Sequence, residues 1–359
     1  MPQTLELSAA AEQALHAYCH NAFVDASGEL PTAGTLAPEP SVAVWAGYRE
    51  AAIEAGSSVW DVLCSRLPQC QFPIAAGISE QPIYRAATRR GELPANPEPP
   101  QLERPEALML DIHPTPAGPI PILTAATRAD FVTLVRALLR RNEPAEVPDS
   151  MGAVMVAGFN NWDRIARYRA DWQRANPLAG AAGWSAAFKA LTADRAAYQD
   201  RFIILSTGPY SGVSAETLGI DDAAHWQALS LAIRRDHECA HHATIRLFGT
   251  MRNHHHDELI ADYMGLTAAT GRFPADWFLT CLGLEAFPSV RADGRFWNYL
   301  GDLPADSDAV GALQALLIRA ARRLEQRHDA LLDQGEPLES VRDGLFRWLC
   351  ANRLDQLAD

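Results

Sequence analysis

Cysteine is scarce in this chain, and its positions suggest no pairing. The 359 residues include six cysteines, none in a C-x-x-C pair or at the spacing of a zinc ribbon. A chain of this length can bury a sizeable core without disulfide bonds, so reduced core thiols in a cytosol are expected. The six are Cys19, Cys64, Cys70, Cys239, Cys281 and Cys350.

Long apolar runs and excess positive charge are missing as well. No run of about 18 apolar residues could cross a bilayer. The first residues show no basic segment followed by an apolar one, as a secretory signal would. The formal net charge is -13 at pH 7, and a field of that sign repels phosphate backbones and anionic lipids. We therefore expect a cytoplasmic protein with no nucleic-acid and no membrane partner.

The signatures of several enzyme classes are also absent. Ser211 and Ser214 lack the glycine spacing of a G-x-S-x-G nucleophile elbow. Neither a G-x-x-x-x-G-K phosphate loop nor a G-x-G-x-x-G fingerprint occurs. The sequence therefore gives no support for serine-hydrolase, phosphate-loop or dinucleotide chemistry.

Hydrophobic periodicity predicts a helix-rich α+β protein with a small central sheet. Short apolar runs predict strands at 107–112, 120–123, 153–159 and 202–205. Helix-period patterns predict helices at 8–24, 41–54, 57–67, 128–141 and 161–174, and an almost wholly helical chain from 222 onward. In that part of the chain, Asp306 or Ser307 is predicted to cap a helix that ends at about 333, and a last helix is predicted at 338–357.

Proline-rich stretches punctuate the first third of the chain. They lie at 31–40, 93–105 and 113–121, and they predict loops because proline lacks a backbone donor. We expect a mainly helical N-terminal region at 1–95 and a catalytic domain with a helical C-terminal part at 106–359.

One sequence pattern has the residue types and spacing of a metal site: His237-Glu238-x-x-His241. On a helix, residues four apart lie on one face, so both imidazoles can reach one ion. Glu238 lies about 100° round the helix, beside the open position of the metal. There its carboxylate can take a proton from water and pass it to a leaving group. The spacing predicts a zinc site with Glu238 as general base.

A third ligand is predicted on the next helix. Gly249 ends the first helix, and a polar turn leads to Glu258. Small residues share the helix face of Glu258 and Asp262, which lets the two helices approach closely. They are Ala261, Gly265, Ala268 and Ala269. The sequence therefore predicts a two-helix site in which Glu258 completes the ligand set.

HExxH followed by ExxxD on the next helix resembles the gluzincin branch of zinc metallopeptidases, over residues 230–265. The resemblance implies a zincin-like site in which His237 and His241 are the paired zinc ligands and Glu258 is the third. It implies Glu238 as general base, and Asp262 as the carboxylate that orients a ligand histidine. The metzincin pattern does not fit, because Thr244 and Leu247 stand where it requires Gly and His.

Several assignments stay open at this level. The donor that stabilises the transition state could be Tyr210, Arg252, Tyr263 or Tyr299. His254–His256 either form a polar turn or contact the metal, in which case one of them could replace Glu258. His242 is expected to be structural.

Two segments outside the motif also have two interpretations each. Residues 158–164, Gly-Phe-Asn-Asn-Trp-Asp-Arg, could line a pocket, or Asn160 or Asn161 could cap the following helix. The strand at 202–205 could be an edge on which an extended substrate pairs, or an interior strand.

The sequence thus predicts a zinc-dependent hydrolase of a peptide or small amide substrate. Arg235 stands where peptidase motifs of this kind usually keep an uncharged residue, which leaves a small-amide hydrolase open. The alternatives are a zinc-binding protein without turnover and a zinc enzyme of a specialised biosynthetic pathway.

Overall fold

A computed structural model describes residues 7–23 and 36–359 of this protein. The helices are α1 (Ala9–Tyr18), α2 (Pro40–Ala55), α3 (Val59–Arg66), α4 (Pro82–Arg90), α5 (Arg128–Leu138), α6 (Trp162–Ala175), α7 (Ala181–Ala193), α8 (Ala223–Phe248), α9 (His255–Thr270), α10 (Ala275–Leu282), α11 (Asp308–Asp333), α12 (Leu338–Ala351) and α13 (Leu354–Ala358). The strands are β1 (Met109–His113), β2 (Ile120–Thr124), β3 (Ala153–Asn160) and β4 (Gln199–Leu205). The predicted α+β class is confirmed. None of the described helices is long and apolar enough to cross a membrane.

The chain divides into two compact units. The sheet unit comprises Ala37–Pro114 and Gly118–Thr207, and it contains all four strands. The helical unit comprises the described residues up to Leu36 together with Thr115–Ala117 and Gly208–Asp359. The HExxH helix α8 and the next helix α9 belong to the helical unit.

The sheet is mixed, with the strand order β1-β2-β4-β3. β2 runs parallel to β4, whereas β1 and β3 pair antiparallel with β2 and β4. Phe202, Ile203, Ile204 and Leu205 of β4 are all buried, as a strand covered on both faces requires. β4 is therefore interior, and the alternative that residues 202–205 form a docking edge is wrong.

A buried polar network joins the sheet to its helices within the sheet unit. Asp200 on β4 accepts hydrogen bonds from Trp45 Nε1 at 2.8 Å, Asn161 Nδ2 at 2.6 Å and Arg164 at 2.5 Å. Burial raises the pKa of the Asp200 carboxyl, and the three donors oppose that rise. The carboxylate is only 1% exposed, so these donors replace its water.

The helical unit is built on α8 and α9. Asp222 caps α8 by accepting from the backbone N–H groups of Ala224 and His225. Gly249 follows α8 with a φ of 70°, a left-handed conformation that favours glycine, so the predicted stop is confirmed. Ser307 occupies the N-cap position of α11, without a side-chain capping bond.

The four predicted strands are confirmed to within a few residues, and so are most predicted helices. The prediction of an almost wholly helical chain from 222 onward is wrong for residues 283–294 and 300–307, which contain no helix. Helices α4 and α7 were not predicted. The single helix predicted at 338–357 is two, because the chain is extended at Asn352. Pro121 lies in β2 and not in a loop. Residue 24 of the first predicted helix and residues 31–35 of the first proline-rich stretch fall outside the described residues.

Candidate metal centre

The pairing of α8 with α9 positions the site. A Cβ atom built at Gly265 on α9 would lie 2.5 Å from the Ile233 carbonyl oxygen of α8, closer than any real contact. Ala261 on the same face of α9 is fully buried. The close approach of the two helices that the small residues predict is therefore confirmed, and it places their facing side chains within reach of one another.

Replacing Gly265 with alanine should force α8 and α9 apart. We expect a loss of unfolding free energy of about 1 to 3 kcal/mol, the usual cost of overpacking. Gly344 on α12 is the matched control, since a Cβ there meets open space. Gly344→Ala should stabilise by about 0.5 to 1 kcal/mol. Urea unfolding of both variants checks this, and an equal, small effect at both positions would contradict the close contact.

Three predicted ligands converge in the interior of the helical unit. One ligand atom from each of His237, His241 and Glu258 lies within 4.8 Å of the others. The two Nε2 atoms are 3.1 Å apart. Glu258 Oε1 is 3.4 Å from His241 Nε2, and its Oε2 is 3.7 Å from His237 Nε2. Neighbouring ligand atoms of a tetrahedral zinc ion with bonds of about 2.0 to 2.1 Å lie about 3.3 to 3.4 Å apart. The donor set and its spacing fit zinc.

Asp262 is hydrogen-bonded to His237 on its Nδ1 side, away from the Nε2 atom that faces the other two ligands. Its Oδ1 lies 2.7 Å from His237 Nδ1 and also accepts a hydrogen bond from the Tyr210 hydroxyl. Since a carboxylate only accepts, Nδ1 of His237 carries the proton and Nε2 presents a lone pair to the cluster. This geometry matches the role predicted for Asp262.

The carboxyl groups of the cluster are held in the charged form. Burial favours neutral carboxyl groups, but Arg295 and His237 outweigh it and keep the pKa of Asp262 low. Burial likewise opposes ionisation of Glu258, whose pKa the hydrogen bond to His241 and the charges around it lower. For His241, burial would lower the pKa, and Glu258 instead raises it to about 9. At neutral pH the two carboxylates are therefore balanced by the charges of Arg295 and His241, and a bound metal ion would take the place of the His241 proton.

Arg295 is a member of the site that the sequence did not reveal. Its guanidinium lies 2.6 Å from Asp262 Oδ2 and 3.4 Å from Glu258 Oε2, and it stacks over the Tyr210 ring at 5.1 Å. Arg295 comes from a short 3-10 helix, 295–299, far along the chain from α9. No local pattern marks a single arginine at that distance.

The four possible transition-state donors occupy different places. The hydroxyl of Tyr210 lies on the Nδ1 side of His237, at 2.9 Å, which is the side away from Nε2. The Arg252 guanidinium donates to the His20 carbonyl. The Tyr263 hydroxyl lies 3.1 Å from His328 Nδ1. Burial raises the pKa of the Tyr299 hydroxyl, and the nearby negative charge of Glu258 adds to that rise.

The three successive histidines lie at the start of α9 and outside the cluster. His254 caps α9 and stacks on Tyr18 at 4.5 Å. His255 is buried against Phe296, and burial lowers its pKa to about 3. His256 Nε2 lies 2.9 Å from the Leu349 carbonyl oxygen. Of the described residues, only Glu258 offers the third ligand atom beside the histidine pair.

Glu238 follows the first ligand on α8 and is half-buried. Its charge contributes to the raised pKa of His241, so its carboxylate lies near the cluster. His242 is fully buried, as expected of a structural residue.

The fold and site define a helix-rich α+β protein with a candidate His-His-Glu metal centre on two adjacent helices. The chain belongs to a family of unknown function, DUF7005, whose family model matches residues 3–359. No curated protein and no solved structure matches the chain.

Proposed function

We propose that this protein is a zinc-dependent hydrolase that cleaves a peptide or small amide bond. The convergence of His237, His241 and Glu258, all buried, is the observation that carries the proposal. Two imidazole nitrogens and one carboxylate oxygen are a usual donor set of catalytic zinc, which keeps a fourth position open. When bound, zinc would supply a Lewis acid that polarises the carbonyl and acidifies water.

Side chains of the site would transfer the proton and orient the zinc ligands during hydrolysis. Glu238 would take a proton from the attacking water as the new C–O bond forms, and would give it to the nitrogen as the C–N bond breaks. Asp262 keeps the proton on Nδ1 of His237, which leaves Nε2 free to bind the ion. Of the four predicted donors, Tyr210 lies 2.9 Å from His237 Nδ1, on the side away from Nε2, and Tyr299 lies near Glu258.

The substrate is proposed at the level of an amide bond. An extended peptide would pair with a free strand edge. β4, the strand considered for that role, lies between β2 and β3. This observation removes β4 as a docking edge, whereas β1 and β3 are the edge strands of the sheet, so both a peptide and small amides are included as probes below.

Glu238→Gln is the variant that tests the proposed function. We expect the wild-type protein to hold about one equivalent of zinc, and the variant to hold the same amount, because Glu238 is not a ligand. Hydrolysis should fall by about 10²- to 10⁴-fold, the usual contribution of a general base. The probes are an internally quenched peptide library and a panel of N-acetyl amino acids, with zinc measured by mass spectrometry.

Glu339→Gln, at an exposed position on α12, is the matched control and should change neither zinc content nor hydrolysis. Less than half an equivalent of zinc after reconstitution would overturn the metal assignment. Full zinc with unchanged hydrolysis in Glu238→Gln would reject Glu238 as the base. Full zinc with no hydrolysis of any probe by the wild type would favour a zinc protein of another kind.

A further inference from the structure

The segment 158–164 has a role in the sheet unit that the metal centre does not explain. Asn161 caps α6 by accepting from the Arg164 backbone N–H at 3.2 Å, so the capping interpretation is confirmed. Its neighbours Asn160 and Trp162 also line an open cavity of about 210 Å³. Both interpretations of this segment therefore hold.

The cavity has aromatic side chains on two sides. Trp162 donates its indole N–H to the Thr88 carbonyl at 2.7 Å, and Gly91 packs against one face of its ring. On α7, Phe188 presents a ring at 21° to that of Trp162, with centroids 6.3 Å apart. Thr192, one turn further along α7, and Tyr198 complete this side. Two nearly parallel rings at this separation favour a flat apolar ligand.

Helix α7 is under-packed for its composition. Its sequence, AAGWSAAFKALTA, is mostly apolar, yet none of its side chains is fully buried. A helix of that composition normally covers its apolar face. The incomplete burial of Phe188, which faces the cavity, is the second sign that this space accommodates a ligand.

The rim of the cavity carries an unneutralised cation. Arg89, in the last turn of α4, lines the cavity and makes no hydrogen bond or ion pair with the part of the chain that the structure describes. The adjacent Arg90 differs, because it is paired with Glu92 at 2.6 Å. No lining residue is acidic. An arginine free to form a paired hydrogen bond matches a carboxylate.

We propose that this cavity is a binding site for a small aromatic carboxylate, with the ring beside Trp162 and Phe188 and the carboxylate on Arg89. The volume is below the roughly 300 to 1,000 Å³ of pockets for drug-sized ligands, so one or two fused rings with a single acidic group fit best. The site lies wholly within the sheet unit and stands independently of the proposed hydrolase function.

Isothermal titration of the full-length protein with indole-3-carboxylate tests the proposal. We expect a dissociation constant on the order of 0.1 to 1 mM, and at least tenfold weaker binding of the neutral indole-3-carboxamide. Arg89→Gln should weaken binding of the acid by about tenfold. Arg90→Gln is the matched control and should stay within about twofold of the wild type.

Two further measurements locate the site. Thr192→Phe should fill the cavity and abolish binding, while zinc content stays unchanged. Because carboxylates also bind zinc, the titration is repeated on chelator-treated protein, in which binding should persist. The proposal is overturned by a dissociation constant above 10 mM, or by an equal loss of affinity in the two arginine variants. It is also overturned if Thr192→Phe binds as the wild type does, or if removal of the metal abolishes binding.

Discussion

His241→Ala should lower zinc affinity by on the order of 10²- to 10³-fold. Zinc held by protein side chains has an apparent binding free energy of about 10 kcal/mol or more. His241 supplies one of three ligand atoms, so its removal costs about a third of that value. The change also leaves Glu258 without the imidazole that lies 3.4 Å from its carboxylate. Competition with a chromophoric chelator at fixed pH measures the affinity.

His225→Ala provides the matched control for this variant. His225 lies on the same helix, α8, but is exposed at its first turn and does not belong to the cluster. It should bind zinc as the wild type does. A fixed excess of zinc should raise the melting temperature of the wild type and of His225→Ala by more than that of His241→Ala. Wild-type affinity in His241→Ala would remove this histidine from the ligand set.

Asp200→Ala should destabilise the sheet unit by about 3 to 5 kcal/mol. The substitution removes the acceptor of three buried donors and leaves the Arg164 guanidinium, itself buried, without its counter-charge. Breaking one side of a buried ion pair is costly because the remaining charge cannot regain its water. The loss should appear as a lower urea midpoint, followed by circular dichroism.

An exposed ion pair in the same unit provides the control, because removing its carboxylate tests the loss of one charge without burial. Asp111 lies 3.4 Å from Arg49, and both side chains are well exposed. Asp111→Ala should therefore cost no more than about 1 kcal/mol. If Asp200→Ala lowered stability by as little as Asp111→Ala, the buried network would not be a principal support of the sheet unit.

The elements around the ligand set were predictable because their signals are local. Two histidines four residues apart define one helix face, Gly249 marks the end of α8, and the small residues near Glu258 mark a close helix contact. Each of these is readable within a window of about ten residues. The same holds for the strands, whose apolar runs are short and continuous.

The parts that escaped prediction depend on distant segments or on weak patterns. Arg295 lies beside Asp262 only because the chain returns there 33 positions later. Tyr210, Tyr263 and Tyr299 are alike in sequence, and their partners distinguish them only in three dimensions. Helix α7, rich in alanine, gave too faint a periodicity to be recognised. Composition likewise carries no signal for two units built from discontinuous segments.

The pairing of α8 with α9 has a consequence for how the protein would acquire the proposed zinc ion. The first and last of the three ligands, His237 and Glu258, are 21 positions apart in the sequence. Closing so short a loop costs little chain entropy, and contacts between neighbouring helices form early in folding. The ligand set can therefore assemble on a helical hairpin during synthesis, before Arg295 and the last helices have left the ribosome. Zinc bound at that stage would favour the native pairing of α8 with α9 over competing arrangements.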